Sequence, residues 1–124
     1  MDYPEKGLCV IINMEEFSKG LDRREGSDCD VKSIEGVFEI IGFTVKVLTD
    51  ETCPELLNSL KKVAEEDHSK RSCFVCVIMS HGKEGKFFCS DNKSFEDDKL
   101  FDLFNGKNCR SLVGKPKVFF LQVI

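Results

Sequence analysis

CFVCVIMS, residues Cys73 to Ser80, is the stretch of this sequence that best indicates the fold. It is an uninterrupted apolar run that ends in a serine and is followed directly by His81 and Gly82. Uninterrupted apolar runs of this length are typical of parallel strands that other elements cover on both faces. The sequence therefore predicts a buried central strand here, with polar residues at its carboxyl end.

Three further segments have the character of strands. Two of them are mainly apolar, and the other alternates apolar and polar residues, as a partly covered strand does. They are LCVIIN (Leu8 to Asn13), FTVKVL (Phe43 to Leu48) and KVFFLQVI (Lys117 to Ile124). We expect these segments to be the neighbours of the central strand in one sheet.

Helical patterns separate the predicted strands. Apolar residues recur at helical spacing before Gly42, with Ser27 or Asp28 as the expected N-cap and the glycine as the stop signal. Thr52 and Glu55 have the spacing of a capping box, in which each residue satisfies a backbone N–H of the other. Two helices are therefore expected, one on each side of the second strand.

The region between the central strand and the last strand predicts a small hairpin and a third helix. HGKEGKFFCSDNKS contains two glycines and short apolar pieces, and Ser94 at its end is the expected N-cap of the helix. Strands separated by helices imply right-handed crossovers, with helices on both faces of a parallel sheet. The predicted fold is α/β, with a mostly parallel sheet of about four strands in one domain, residues 1–124.

Composition argues against two kinds of partner. The formal net charge is −4 and the lysines are scattered, so we expect no nucleic-acid partner. No apolar run approaches the roughly 20 residues that span a bilayer, so we expect no membrane partner. Because the sequence starts without a recognisable leader peptide, we expect a cytoplasmic protein.

Seven cysteines are many for this length, and their odd number favours free thiols. Cys73 and Cys76 have the spacing of a zinc or dithiol motif, but residues three apart on a strand point to opposite faces. We therefore expect no metal and no cofactor. Cys29, in the first turn of a predicted helix, is a candidate reactive thiol, although nothing in the sequence aims it at His81.

Polar residues converge at the carboxyl ends of the predicted strands, where parallel sheets bind their ligands. Arg23 and Arg24 follow the first strand, His81 and Gly82 follow the central strand, and Gln122 ends the last strand. No glycine-rich phosphate loop follows the first strand, which disfavours nucleotide binding. An imidazole beside an unhindered glycine amide suits nucleophilic catalysis, with a base and an oxyanion donor in place.

A lone histidine is often structural, and both histidines must be weighed against that alternative. His68 lies near the end of the second predicted helix, where the helix dipole favours a cation, and we interpret it as structural. His81 would be interpreted in the same way if it stood alone. Its position between Ser80 and Gly82, directly after a buried strand, keeps a catalytic role open beside the structural one.

Five segments together resemble successive blocks of the caspase large subunit over nearly all of the chain. They are CVIINMEEF, RREGSDCD, GFTVKVLTD, CFVCVIMSHG and GKPKVFFLQ. The resemblance implies a caspase-like fold and a cysteine endopeptidase that cleaves after aspartate, in cell death, inflammation or differentiation. It implies peptide or protein substrates with aspartate at P1, the residue before the scissile bond, and it requires no cofactor.

The resemblance also implies a role for each site residue. His81 would be the catalytic imidazole, and Gly82 would donate its N–H to the oxyanion. Arg24 and Gln122 would bind the P1 carboxylate, for which a guanidinium offers a bidentate grip. The backbone carbonyl of Asp22 would orient the imidazole.

The sequence departs from the family pattern after Gln122. The family continues with alanine and the nucleophilic cysteine, whereas this sequence has Val123 and Ile124. We therefore expect the printed chain to be a truncated form that lacks the nucleophile and is inactive.

The resemblance implies that the sheet is incomplete without strands from a small subunit. VFFL, residues Val118 to Leu121, would then be an exposed apolar edge that pairs with another chain. The small subunit or homologous caspases are the expected partners, and an alternative function is that of a non-catalytic decoy or regulator. A third alternative is an unrelated doubly wound ligand-binding module that shares only the fold.

Overall fold

The computed structural model describes residues 3–17 and 27–123 of the chain. In chain order, the strands are β1 (Glu5–Asn13), β2 (Thr44–Thr49), β3 (Arg71–Ser80), β4 (Gly82–Lys83), β5 (Lys86–Phe88), β6 (Ser94–Glu96) and β7 (Lys117–Val123). The helices are α1 (Ser27–Ile41), α2 (Cys53–Glu65) and α3 (Asp97–Leu103), with a short 3-10 helix at Arg110–Leu112. Within these ranges, no helix is long and apolar enough to cross a membrane.

Four strands form one parallel sheet in the order β2-β1-β3-β7. β3 contains the long apolar run and pairs on both sides, with β1 and with β7. The other three strands, β4, β5 and β6, form a small antiparallel sheet directly after β3. The predicted α/β class, the four-stranded parallel sheet and the hairpin are confirmed, and β6 is an additional strand.

Side chains alternate along the strands, so the sheet buries two separate apolar layers. The layer on the α1 face contains Cys9, Ile11, Val31, Val75, Val77 and Met79. The layer beneath α2 and α3 contains Leu8, Val10, Ile12, Leu56, Leu60, Phe74, Cys76, Ile78, Leu100 and Phe104. Helices therefore cover both faces, as predicted. By the same alternation Cys73 points away from Cys76, so these two thiols cannot share a metal ion.

Phe74 is the centre of the larger layer. Its ring is fully buried and stacks on Phe104 with centroids 4.4 Å apart, and Phe119 meets it edge-on at 6.1 Å. Burying a side chain of this size stabilises the fold by about 1.5–3 kcal/mol, and an aromatic pair adds about 0.5–1.5 kcal/mol. Because Phe119 lies on β7, this packing holds the last strand beside β3.

The ends of α1 and α2 follow the sequence signals. The Thr52 side chain accepts a hydrogen bond from the Glu55 N–H at 3.3 Å, and the Glu55 carboxylate accepts one from the Thr52 N–H at 3.0 Å. The predicted capping box is therefore confirmed. Gly42 follows α1 with φ +114°, a conformation that favours glycine, and its N–H donates to the carbonyls of Phe38 and Glu39.

Two predicted N-caps are wrong. Ser94 belongs to β6, where its backbone pairs opposite Phe88, so α3 begins only at Asp97, after Glu96. The pairing within the small sheet holds Ser94 in extended conformation, three residues before the helix. Ser27 is itself the first residue of α1, which places Ser27 and Asp28 within the helix and not at its cap.

His68 is fully buried, as expected of a structural histidine. Its Nε2 lies 2.9 Å from the carbonyl oxygen of Val63, and Nη1 of Arg71 lies 3.1 Å from its Nδ1. These contacts fit a ring that donates at Nε2 and accepts at Nδ1. Burial is the main cause that lowers the pKa of His68, and the charges of Arg71 and Lys115 lower it further.

Candidate active site

The carboxyl end of β3 delivers Ser80 and His81 to the rim of the sheet. Ser80 is fully buried and its hydroxyl donates to the carbonyl oxygen of Phe88 at 2.6 Å. The Phe88 N–H in turn donates to the carbonyl oxygen of His81 at 2.9 Å. The backbone of His81 is therefore anchored to β5 while its ring remains half-buried at the surface.

Gly82 lies next along the same antiparallel ladder. His81 faces Phe88 in a hydrogen-bonded pair, and Gly82 faces Phe87 in the following pair. In antiparallel sheets hydrogen-bonded and non-hydrogen-bonded pairs alternate, so the N–H and C=O of Gly82 point away from β5. With no side chain, the N–H can be approached closely by a substrate oxygen, as an oxyanion donor requires.

Phe17 packs against the imidazole from the loop after β1. The two ring centroids lie 4.9 Å apart at an interplanar angle of 49°. Phe17 is half-buried, so one side of the His81 ring is covered by an apolar group. Phe17 could not be identified from the sequence, because the loop lies far from His81 in sequence and carries no catalytic signature.

Asp50, at the end of β2, holds the loop that carries Phe17. Its carboxylate oxygen accepts hydrogen bonds from the N–H of Glu15 at 2.7 Å and of Glu16 at 3.0 Å. The Asp50 N–H donates to the carbonyl of Asn13 at 2.9 Å, and φ at Asp50 is +51°, a conformation that aspartate tolerates better than most residues. Its place at a strand end was the signal that could have identified it.

Gln122 lies at the same edge of the sheet as His81. On β7 it is in register with Met79, and Val123 is in register with Ser80. Its exposed side chain borders an apolar groove of about 420 Å³ between α1 and β7, lined also by Phe38 and Phe120. Thus His81, Gly82 and Gln122 share one rim, as expected for a common site.

Three other residues of the predicted site lie outside the described residues. They are Asp22 and Arg24, before α1, and Ile124, after β7. Their predicted roles therefore stay predictions.

Six of the seven thiols are poor candidates for the missing nucleophile. Burial raises the pKa of each of them, and a protonated thiol attacks a carbonyl poorly. They are Cys9, Cys53, Cys73, Cys76, Cys89 and Cys109. The seventh, Cys29, is exposed on α1. In the described part of the chain, one group of three potential metal ligands has its ligand atoms within 4.8 Å of one another, namely Cys53, Cys89 and Asp91.

Comparison with known proteins identifies clear relatives. A family model described as Peptidase_C14, Caspase domain, matches residues 6–123. The caspase-3 of Xenopus laevis is 44% identical over 122 residues, covering 98% of this chain and 43% of the relative. The caspase-3 of Bos taurus is 45% identical over 124 residues, which cover 98% of this chain and 45% of the relative. The caspase-3 of Mus musculus is 45% identical over 124 residues, which cover 98% of this chain and 44% of the relative. The chain spans less than half the length of these relatives.

Proposed function

The chain belongs to the caspase family, and from this premise we propose that it supplies the histidine-bearing part of a cysteine endopeptidase site that cleaves after aspartate. The observation that carries the proposal is the position of His81. It follows the buried central strand, its backbone is bonded to β5, and its ring packs against Phe17. This arrangement presents an oriented imidazole beside a glycine amide at the sheet edge.

The proposed reaction begins with a cysteine thiolate that attacks the carbonyl carbon of the scissile peptide bond. The carbonyl electron pair moves to oxygen, where the Gly82 N–H stabilises the developing negative charge. Protonated His81 gives its proton to the leaving amine, the C–N bond breaks, and a thioester remains. Water then hydrolyses the thioester while His81 accepts its proton, which regenerates the starting thiolate and imidazolium.

Selectivity for aspartate is assigned to Arg24 and Gln122. A guanidinium binds a carboxylate through two charge-assisted hydrogen bonds, and a neighbouring amide can add a third. In the same proposal, the backbone carbonyl of Asp22 accepts a hydrogen bond from the imidazole and fixes its orientation. Gln122 supports this assignment by its exposed position at the rim that carries His81.

We assign the role of nucleophile to none of the residues that the structure describes. At the position of the family cysteine the sequence has Ile124, and buried thiols with raised pKa values supply no substitute. The printed polypeptide should therefore show no turnover of a fluorogenic peptide with aspartate at P1. Turnover by the purified chain that disappears on His81→Ala would contradict this assignment.

The biological setting of the proposal is apoptotic proteolysis in the cytoplasm. The relatives named caspase-3 support a role in this class of protease. A caspase fold needs no metal or cofactor for the chemistry described above, and protein substrates with aspartate at P1 are the expected targets.

A second candidate function, binding another chain as a decoy or regulator, is favoured by β7. This strand is the last in the sheet order and pairs only with β3 within the described ranges. Val118, Phe120 and Leu121 on it are 39%, 53% and 40% exposed. An unpaired edge with exposed apolar side chains favours pairing with a strand of a small subunit or a homologous caspase.

Co-purification of the chain with a caspase small subunit tests this second candidate. We expect Phe120→Lys to weaken the association, because a charge on the edge opposes strand addition. Val113→Lys is the matched control, since Val113 is 58% exposed but lies outside β7. Equal binding by both variants, or no binding by the unaltered chain, would count against this function.

A further inference from the structure

Two thiols from distant parts of the sequence meet beside the small sheet. The sulfur atoms of Cys53, the first residue of α2, and Cys89, just after β5, lie 2.7 Å apart although the residues are 36 positions apart. Cys89 is fully buried, whereas Cys53 is half-buried and lines an open cleft of about 560 Å³. One thiol of the pair is therefore open to solvent from the cleft.

A tight turn brings a carboxylate to the same place. The Cys89 N–H donates to the carbonyl of Lys93, and the Asn92 N–H donates to the carbonyl of Cys89, with φ +64° at Asn92. Within this turn, the Asp91 carboxylate accepts a hydrogen bond from the Lys93 N–H at 3.2 Å. Its ligand atom and the two sulfurs all lie within 4.8 Å of one another.

Glu51 adds a negative charge close to Cys89. Its carbonyl accepts from the Ser90 N–H at 3.0 Å, which ties the start of α2 to the turn, and one carboxylate oxygen accepts from Ser59 at 2.9 Å. The other carboxylate oxygen, Oε1, is buried and has no hydrogen-bond partner among the described residues. A buried carboxylate oxygen without a partner costs free energy that a nearby cation would offset.

The distance between the sulfur atoms of Cys53 and Cys89 lies between the values for two chemical states, a disulfide and a pair of thiolates on one metal ion. A disulfide would require about 2.05 Å. Two thiolates on one zinc ion, each at about 2.3 Å in tetrahedral geometry, lie about 3.8 Å apart. From 2.7 Å, the sulfur–sulfur distance would have to shrink by about 0.7 Å for a disulfide or grow by about 1.1 Å for zinc, so the neighbouring groups decide between the two states. A disulfide uses no carboxylate, whereas a metal ion would use Asp91 and offset the charge of Glu51.

We propose that Cys53, Cys89 and Asp91 bind a zinc ion. Two thiolates and one carboxylate form a donor set that suits zinc, with a fourth position left for water. On binding, both thiols release their protons to solvent. The ammonium group of Lys99, which lines the cleft, lies over the Phe95 ring at 5.6 Å from its centroid.

Such an ion would join α2 to the β5–β6 turn. Cys89 directly follows Phe88, whose backbone is hydrogen-bonded to Ser80 and His81. The site is thus one residue from the strand that anchors the candidate catalytic histidine, and metal binding would stiffen that strand.

Cobalt titration of the full chain, reduced and freed of metal by chelation, tests the proposal. Cobalt reports thiolate ligands through a charge-transfer band in the near ultraviolet. We expect the band to saturate at one equivalent and to disappear when zinc is added. Cys53→Ser should abolish it, and Asp91→Asn should weaken cobalt affinity at least ~10-fold. Cys29→Ser, which alters an exposed thiol on α1, is the control and should leave the titration unchanged.

A ligand that binds only the folded state stabilises that state. Zinc should therefore raise the midpoint of thermal unfolding of the unaltered chain and of the Cys29→Ser variant, but not of the Cys53→Ser variant. Absence of the cobalt band, or a band that survives both Cys53→Ser and Cys89→Ser, would overturn the proposal. Loss of two mass units through a Cys53–Cys89 disulfide in air, despite saturating zinc, would also overturn it and identify an oxidisable dithiol.

Discussion

Among single residues, His68 makes the stability of the fold depend on pH. Its ring is fully buried between Val63, which accepts from Nε2, and Arg71, which contacts Nδ1. Lys115, also buried, donates to the His68 carbonyl at 2.7 Å, so a second cation lies close by. A proton added to this ring would be buried next to positive charges.

We expect the free energy of unfolding to fall as the pH drops below about 6.5, the ordinary pKa of histidine. The folded state holds the pKa of His68 below that value, so in this window the unfolded chain binds more protons and stability rises with pH. Urea unfolding at a series of pH values measures the slope. His68→Gln should flatten it, and an identical slope in this variant would contradict the assignment.

Single residues of the site differ in how far the sequence could identify them. His81, Gly82 and Gln122 lie at strand ends, and a strand end can be predicted from an apolar run. Phe17 and Asp50 reach the site through a loop whose path depends on tertiary hydrogen bonds. The Cys53–Cys89 contact could not be predicted from the sequence either, because no local spacing relates two residues 36 positions apart.

Among the elements, α2 and α3 begin in contrasting ways. α2 starts with the reciprocal capping box of Thr52 and Glu55, whereas α3 follows Glu96, which makes no side-chain cap. A capping signal in sequence is reliable when the residues before it are free to turn. Ser94 is not free to turn, because it pairs with β5 as part of β6, and α3 therefore starts only at Asp97.

Thr52→Ala should destabilise the fold by ~1 kcal/mol, because the Glu55 N–H at the start of α2 loses its acceptor. Ser94→Ala is the matched control: its exposed side chain caps no helix, and the change should stay within about 0.5 kcal/mol. Chemical denaturation of both variants at neutral pH gives the comparison. Equal losses, or a larger loss for Ser94→Ala, would contradict the assigned helix starts.

On the scale of the whole molecule, the sheet has two edge strands, β2 and β7, on either side of β1 and β3. β3 lies between two strands, with helices on both faces of the sheet. Apolar runs and helical spacing predicted this central strand and the α/β class, but not the order of the strands. The strand register that aligns Gln122 with Met79 could not be predicted from apolar runs and helical spacing. Tertiary packing, such as that of Phe74 against Phe119, sets this register. Within the described residues β7 pairs only with β3, so its other edge is available to a further strand.

A chimaera tests the catalytic role of His81. Residues 1–122 replace the aligned segment of the Xenopus laevis caspase-3, so that the relative supplies everything after Gln122. The quantity is kcat/KM for a fluorogenic peptide with aspartate at P1, compared with the same peptide carrying asparagine there. We predict cleavage of the aspartate peptide only, and a loss of ~10²–10⁴-fold on His81→Ala. A folded chimaera without activity, or one that keeps its activity after His81→Ala, would contradict the account.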